Sequence, residues 1–230
     1  MKIKPYLRKH FPFLGNVKRH IISFADAFLP AKKSYSQNGE DIFFLEMIKK
    51  YNINSDKSLY IDAGAFLPSK ISNTFLLYRN GFHGVLIEPN YKLYSLLRKY
   101  RKRDVVINSA AGNENCVMNF SIADTPDGSS LVKLQKVNYN SDVLVPILRI
   151  DDIIKKIVCE SIMLFSIDAE GFNFEVLKGA KETLKKTFLV CVEFDENTDK
   201  AEYETLLGED FEYIETFRCN LVFKNKMFTC

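Results

Sequence analysis

The chain has 230 residues, 47% hydrophobic and 27% charged, with a net charge of +3. That suffices for one well-cored globular domain with a terminal appendage, and two full domains are not expected. Five cysteines, odd in number and widely spaced without a C-x-x-C pair, argue against a disulfide framework or a thiolate zinc site and fit a reducing cytoplasm.

No run of about 20 apolar residues is present to span a bilayer. The first residues also lack the apolar core and small-residue cleavage site of a signal peptide. Residues 1–33 form a distinct first segment. There Lys2, Lys4, Arg8, Lys9, Lys18, Arg19, Lys32 and Lys33 oppose only Asp26, a local +7, so the remainder sums to −4. Leu14, Val17, Ile21, Phe24, Ala25 and Phe28 follow three-and-four spacing, which predicts a basic amphipathic helix. Two uses stay open for it. One is peripheral contact of residues 1–30 with an anionic membrane at its cytoplasmic face; the other is packing of the apolar face on this domain or on a second copy, as a homodimer. A nucleic-acid partner is not expected, because no basic–aromatic interleaving continues into the body.

From residue 34 to 230 the pattern becomes strand and helix in alternation. Ser34–Tyr51 predicts a helix starting near Ser36 or Asn38, with Glu40 and Asp41 in the first turn, where the helix dipole favours anions. Leu59–Ala65 is a buried strand. Ser72–Asn80 is a short helix with Ser72 as N-cap and Gly81 past its end. His83–Glu88 is the second strand, stopped by Pro89, and Tyr91–Arg101 returns as a helix. Strands follow at Val105–Asn108, Cys116–Ala123, Val145–Ile150, Ile162–Asp168 and Phe188–Phe194. Between them lie a polar loop at 125–130, a connection holding Tyr139 and Asn140, and helices after Asp151 and over Phe172–Lys186. Phe211–Phe217 and Leu221–Asn225 read as a closing hairpin. Such alternation predicts an α/β fold: a mainly parallel central sheet, helices on both faces and an antiparallel C-terminal hairpin. Ligands bind outside the carboxyl ends of the strands in that architecture.

The strand ends carry acids: Asp62, Glu88, and Asp168 with Glu170. Glu88 follows Asp62 by 26 positions, close to the offset at which nucleotide folds place an acid on ribose hydroxyls. Yet Gly64 is followed by Ala65, Phe66, Leu67 and Pro68, where a pyrophosphate would demand further glycines. A nicotinamide dinucleotide is thereby disfavoured. A nucleoside whose charged part is a sulfonium amino acid needs only the close approach at Gly64, and S-adenosylmethionine is that ligand. Asp62 would face its cation, and the N-terminus at Ser72-Asn73-Thr74 would receive its carboxylate.

The blocks SYSQNGEDIFFLE (34–46), IDAGAFLPSKISNTFLLY (61–78), GFHGVLIEPN (81–90), INSAAGNENCVMNF (107–120), ILRIDDII (147–154) and IDAEGFNFEVLKGA (167–180) resemble, in order and spacing, those of the FkbM-type S-adenosylmethionine-dependent methyltransferases. The resemblance implies a Rossmann-like methyltransferase fold. It implies a cofactor site at Asp62, Gly64, Ala65, Asn73, Thr74, Glu88, Pro89 and Ala110, covered by Gln37, Glu40 and Asp41. It also sets Asp168 and Glu170 beside the reacting centre. Many relatives read G-A-N-x-G in the first motif, and the Phe66–Pro68 stretch with its following S-N-T departs from that as subfamily character.

The sulfonium carries the difficult chemistry, so the protein must hold an acceptor oxygen in line and remove its proton. Asp168 and Glu170 are the candidate bases. Asp168, Glu193 and Asp195 are weaker candidates for a divalent cation held through oxygen ligands. Amino-methyltransferases of nucleic acids carry Asp/Asn-Pro-Pro-aromatic after the fourth strand, whereas DAEG stands there in this chain. That argues for an oxygen acceptor, and the resemblance implies a hydroxyl of a sugar, glycan or secondary metabolite. The alternative is a non-catalytic scaffold of the same fold, with the site closed by Phe66 and Pro68.

Overall fold

The computed structural model describes residues 12–28, 32–123, 129–132, 138–194 and 198–229, with the side chains of the first helix described over 18–26. Helices α1 (Pro12–Phe28) and α2 (Glu40–Lys50) come first, then β1 (Ser58–Ala63), α3 (Phe75–Arg79), β2 (Gly84–Ile87), α4 (Tyr91–Tyr100) and β3 (Val105–Ile107). Next are β4 (Ala110–Ala111), β5 (Cys116–Ala123), β6 (Tyr139–Leu148), α5 (Ile150–Ile154), β7 (Ser161–Ile167), α6 (Asn173–Lys178) and α7 (Lys181–Lys185). The chain closes with β8 (Thr187–Glu193), α8 (Lys200–Leu207), β9 (Phe211–Phe217) and β10 (Asn220–Asn225).

The main sheet has seven strands in the order β3-β2-β1-β7-β8-β10-β9. Pairings from β3 through to β8 are parallel, and β10 runs antiparallel to both its neighbours. The expected parallel sheet and antiparallel closing hairpin are thus both present. Strands β1, β2 and β7 read as almost unbroken buried runs, as strands covered on both faces must. Their neighbouring residues alternate between two cores. Ile61, Ile167 and Val190 pack with Ile150, Val176 and Tyr203 on one face. Tyr60, Leu164 and Leu189 pack with Phe44, Ile48 and Leu97 on the other.

Strand order reverses between β1 and β7, because β2 and β3 lie to one side and β7 and β8 to the other. That switch point opens a crevice at the carboxyl ends of β1 and β7. Gly64 makes the crevice tight. At φ +85 its backbone lies so close to Asp168 that an added Cβ would sit 1.8 Å from the Asp168 carbonyl oxygen. The close approach expected at Gly64 is therefore to the neighbouring strand end.

Several elements differ from expectation. Helix α2 begins only at Glu40, because residues 34–38 fold as a loop onto Asp41, which accepts from Ser34 Oγ, Tyr35 N–H and both the N–H and Oγ of Ser36. The helix expected over 172–186 is two helices broken at Gly179, where a Cβ would meet the Gly112 carbonyl oxygen at 1.9 Å. Asp151 of α5 fills the break: its N–H donates to the Gly179 carbonyl, and its carboxylate accepts from the N–H groups of Glu182 and Thr183. Tyr139 and Asn140 start β6 instead of lying in a loop, and a second, three-stranded sheet, β4-β6-β5, stands beside the first. The polar loop at 125–130 lies outside the described residues except for Ser129 and Ser130. Among the described residues no helix is long and apolar enough to cross a membrane.

Candidate active site

A cavity of about 220 Å³ lies at the switch point. Gly64 and Phe66 after β1, Glu88 and Pro89 after β2, and Asp168 and Glu170 after β7 wall it. Gln37, Ala110 and Glu193 line it as well.

Glu88 is nearly buried, and each of its oxygens takes one backbone donor: Oε2 from Phe66 N–H at 3.0 Å and Oε1 from Asn90 N–H at 2.7 Å. Two of roughly four carboxylate acceptor positions are thus used, and two are left for a ligand. Burial outweighs those donors and lifts its pKa to about 8, with the charges of Asp62 and Asp168 adding to the rise. Asn108 Nδ2 fixes the turn behind it by donating to the carbonyls of Glu88 and Pro89. Phe66 adopts a left-handed φ of 52, which turns its N–H onto Glu88. Its ring packs on Leu67, Leu93 and Leu96, so it forms wall rather than plug.

Across the cavity Asp168, Glu170 and Glu193 bring carboxylate oxygens within 4.8 Å of one another. Asp168 Oδ1 is inaccessible to solvent and takes no hydrogen bond. Burial, and then the Glu193 carboxylate beside it, push the Asp168 pKa well above the usual carboxylate range. The turns that carry these acids are tied together. Asn173 accepts from Ala169 N–H and donates to the Glu193 carbonyl, and Asp168 N–H reaches back to the Ala63 carbonyl. Glu170 and Gly171 are both left-handed, and Ser130 Oγ donates to the Glu170 carbonyl at 2.6 Å.

Other expected site residues stand behind the cavity wall. Thr74 Oγ1 donates to Asp62 Oδ2 at 2.7 Å, and burial raises the Asp62 pKa to about 6. Asp62 therefore belongs to a buried network instead of facing a ligand cation. At the centre of that network Arg101 donates to Asp104, Tyr60 Oη, Thr74 Oγ1 and the Pro68 carbonyl. Asn73 donates to Ser166 and Cys191, and Ser72 Oγ accepts from the Phe75 N–H, the first of this short helix. Ala65 is buried, with its N–H on the Ile87 carbonyl. Glu40, accepting from Asn38 and Asn220, and Asp41 do not line the cavity; they hold the loop that carries Gln37 to it. For Glu40, burial favours the neutral form, but the hydrogen bonds outweigh it and leave the pKa lowered. Asp195 lies outside the described residues.

Sequence reasoning missed the strap Ser129-Ser130-Leu131, which walls the cavity from the small sheet. The strap is seated by paired N–H to carbonyl bonds between Ser121 and Ser130 and by Ser129 Oγ on Ala123 N–H. Its signal was the polar run TPDGSS, whose long-range partner no local pattern names. Phe120 of β5 and the buried Arg101 were missed for the same reason.

A search of curated proteins returned no match. Among solved structures, the methyltransferase FkbM from Methylobacillus flagellatus KT aligns at 15% identity and a TM-score of 0.48, over 91% of this chain and 60% of that one. The present chain thus spans about three fifths of that protein's length. The family model described as the methyltransferase FkbM domain matches residues 62–224, well over half the sequence. The chain belongs to the FkbM methyltransferase family.

Proposed function

We propose that this protein transfers the methyl group of S-adenosylmethionine to a hydroxyl oxygen of a sugar, glycan or other small-molecule acceptor, surface polysaccharide being one such glycan. One observation carries the reading: a single cavity at the switch point has Glu88, with acceptor positions to spare, on one wall and an acid cluster on the other. The cofactor supplies a methyl group already activated on sulfur. The residues present fit it. Glu88 would hydrogen-bond the ribose hydroxyls, while Gln37, Gly64, Phe66, Pro89 and Ala110 line the adjoining wall. Asp168, its proton affinity raised by burial and by Glu193, is the candidate to take the proton from the acceptor hydroxyl. Glu170 stands beside it on the strained turn.

The crowding of Asp168, Glu170 and Glu193 around an unpartnered buried oxygen favours a second reading of that pole, as oxygen ligands for a divalent cation. Loss of methyl transfer on dialysis against a chelator, restored by magnesium, would establish it; full activity in chelator leaves Asp168 as a simple base.

Calorimetry with S-adenosylmethionine and S-adenosylhomocysteine tests the whole proposal. Micromolar binding, abolished or strongly weakened by Glu88→Ala, supports it. Absence of binding by the folded chain would leave a scaffold that keeps the fold without turnover.

A further inference from the structure

Gln37 lines the cavity although it belongs to no helix or strand, and both of its chain neighbours are fixed on buried carboxylates. Ser36 gives its N–H and Oγ to Asp41. Asn38 gives its N–H to Glu40 Oε2 at 2.7 Å and its Nδ2 to Glu40 Oε1 at 2.9 Å. Glu40 and Asp41 are each 0% exposed, whereas Gln37, between the two tethered residues, is exposed. The loop thus brings to the cavity one side-chain amide, a donor and an acceptor in a single group.

The bonds to Asp41 join it to its own loop, but Glu40 has a further partner 180 positions along the chain: Asn220 Nδ2 donates to its Oε1 at 2.9 Å. Asn220 opens β10 and stands opposite Glu193 of β8 in the register, and Glu193 is itself part of the cavity wall. Beside it, the Cys219 carbonyl accepts from Phe194 N–H, and the Phe217 ring at the end of β9 packs 5.4 Å from that of Phe43 in α2. The hairpin turn is thus fastened both to the cavity wall and to the start of the helix that Glu40 begins. Without the Asn220 amide, a buried carboxylate oxygen would lose a donor from outside its own loop. Resting on the cofactor reading above, we infer that Asn220 is a positioning residue for cofactor binding, which acts through Glu40 and Asn38 to set where Gln37 stands against the ligand. The C-terminal hairpin then serves the site as well as closing the sheet.

Calorimetry of the full chain with S-adenosylhomocysteine reads this without an acceptor. Asn220→Ala should weaken binding by about fivefold or more, because the hydrogen bond it removes ends on a buried charge. Gln37→Ala should weaken it to a similar degree. The two losses should not multiply: in the Gln37→Ala background, Asn220→Ala should cost less than about twofold further, since its route to the ligand is already gone. An asparagine that served the fold alone would lower affinity equally in both backgrounds. Glu40→Gln is the second variant, in case Asn220→Ala fails to fold. It keeps the volume of the side chain, but whichever way its amide is turned one of the three donors meets a donor, so it should show the same loss and the same dependence on Gln37. If the native chain binds S-adenosylhomocysteine and Asn220→Ala binds it equally tightly, or if the losses of Asn220→Ala and Gln37→Ala multiply, the inference is overturned while the cofactor reading stands. A native chain that binds neither this ligand nor S-adenosylmethionine overturns the cofactor reading and this inference with it.

Discussion

The two walls of the cavity treat carboxylates in opposite ways. At the end of β2, Glu88 has a backbone N–H on each oxygen and its turn clamped by Asn108. At the ends of β7 and β8, Asp168, Glu170 and Glu193 crowd within 4.8 Å, and one Asp168 oxygen has no donor at all. The first wall holds its carboxylate on two backbone donors and keeps acceptor positions open; the second carries repulsion that a proton or a cation would relieve. A carboxylate fixed by backbone donors suits a part that binds, and crowded ones suit the part where a proton moves.

The heaviest blow to this division should come from Gly64, whose backbone separates the two walls. Gly64→Ala forces a Cβ into the Asp168 carbonyl at a left-handed φ, and a loss of about 3 kcal/mol or more is expected in urea unfolding. Gly81→Ala is the control: its φ of +96 is equally left-handed but nothing lies within 4 Å, so about 1 kcal/mol should suffice there.

Asp168→Asn should sharpen the contrast. It replaces one carboxyl of the crowded wall with an amide that can donate to Glu193, so stability is expected to hold or to rise by about 1 kcal/mol. Methyl transfer should fall roughly 10²–10⁴-fold. A variant that loses stability and keeps activity would reverse the roles of the two walls.

Glu88 should act through pH, as a slope and not as a loss at one pH. Its folded pKa of about 8 lies above the ordinary carboxyl value of 4.5, so the folded chain keeps a proton that the unfolded chain has released. Its contribution to stability is therefore complete below pH 4.5 and is lost as pH rises through about 8, with a slope of at most about 1.4 kcal/mol per pH unit. Asp62 and Asp168 tilt the curve the same way, so the measurement is the difference between the native chain and Glu88→Gln, which should be flatter over that window. Identical slopes would mean that Glu88 stays ionised in the folded chain.

What was legible in the sequence follows the range of the interactions. Buried strands announce themselves by continuous apolar runs and by Pro89, and their final acids could be named at once. Of those acids, Glu88, Asp168 and Glu170 line the cavity while Asp62 does not, because its orientation depends on Thr74 and Arg101, far away in the chain. The break at Gly179 rests on Gly112 and Asp151, which no window of helical residues contains. The amphipathic stripe of α1 was equally plain, but a stripe reveals only that two faces differ. Hydrogen bonds from Asp26 to distant partners decide which face is turned inward.

Arg101 is 1% exposed and holds a strand tyrosine, a loop carbonyl, the threonine before α3 and an aspartate three residues on, all between residues 60 and 104. No one of these elements owns the cation, and none can part from it without leaving a charge or a polar group stranded in the interior. Slow amide exchange in this stretch should therefore be lost in one step instead of fraying element by element. The half of the sheet that carries Glu88 is thereby an all-or-none unit whose keystone is a single guanidinium.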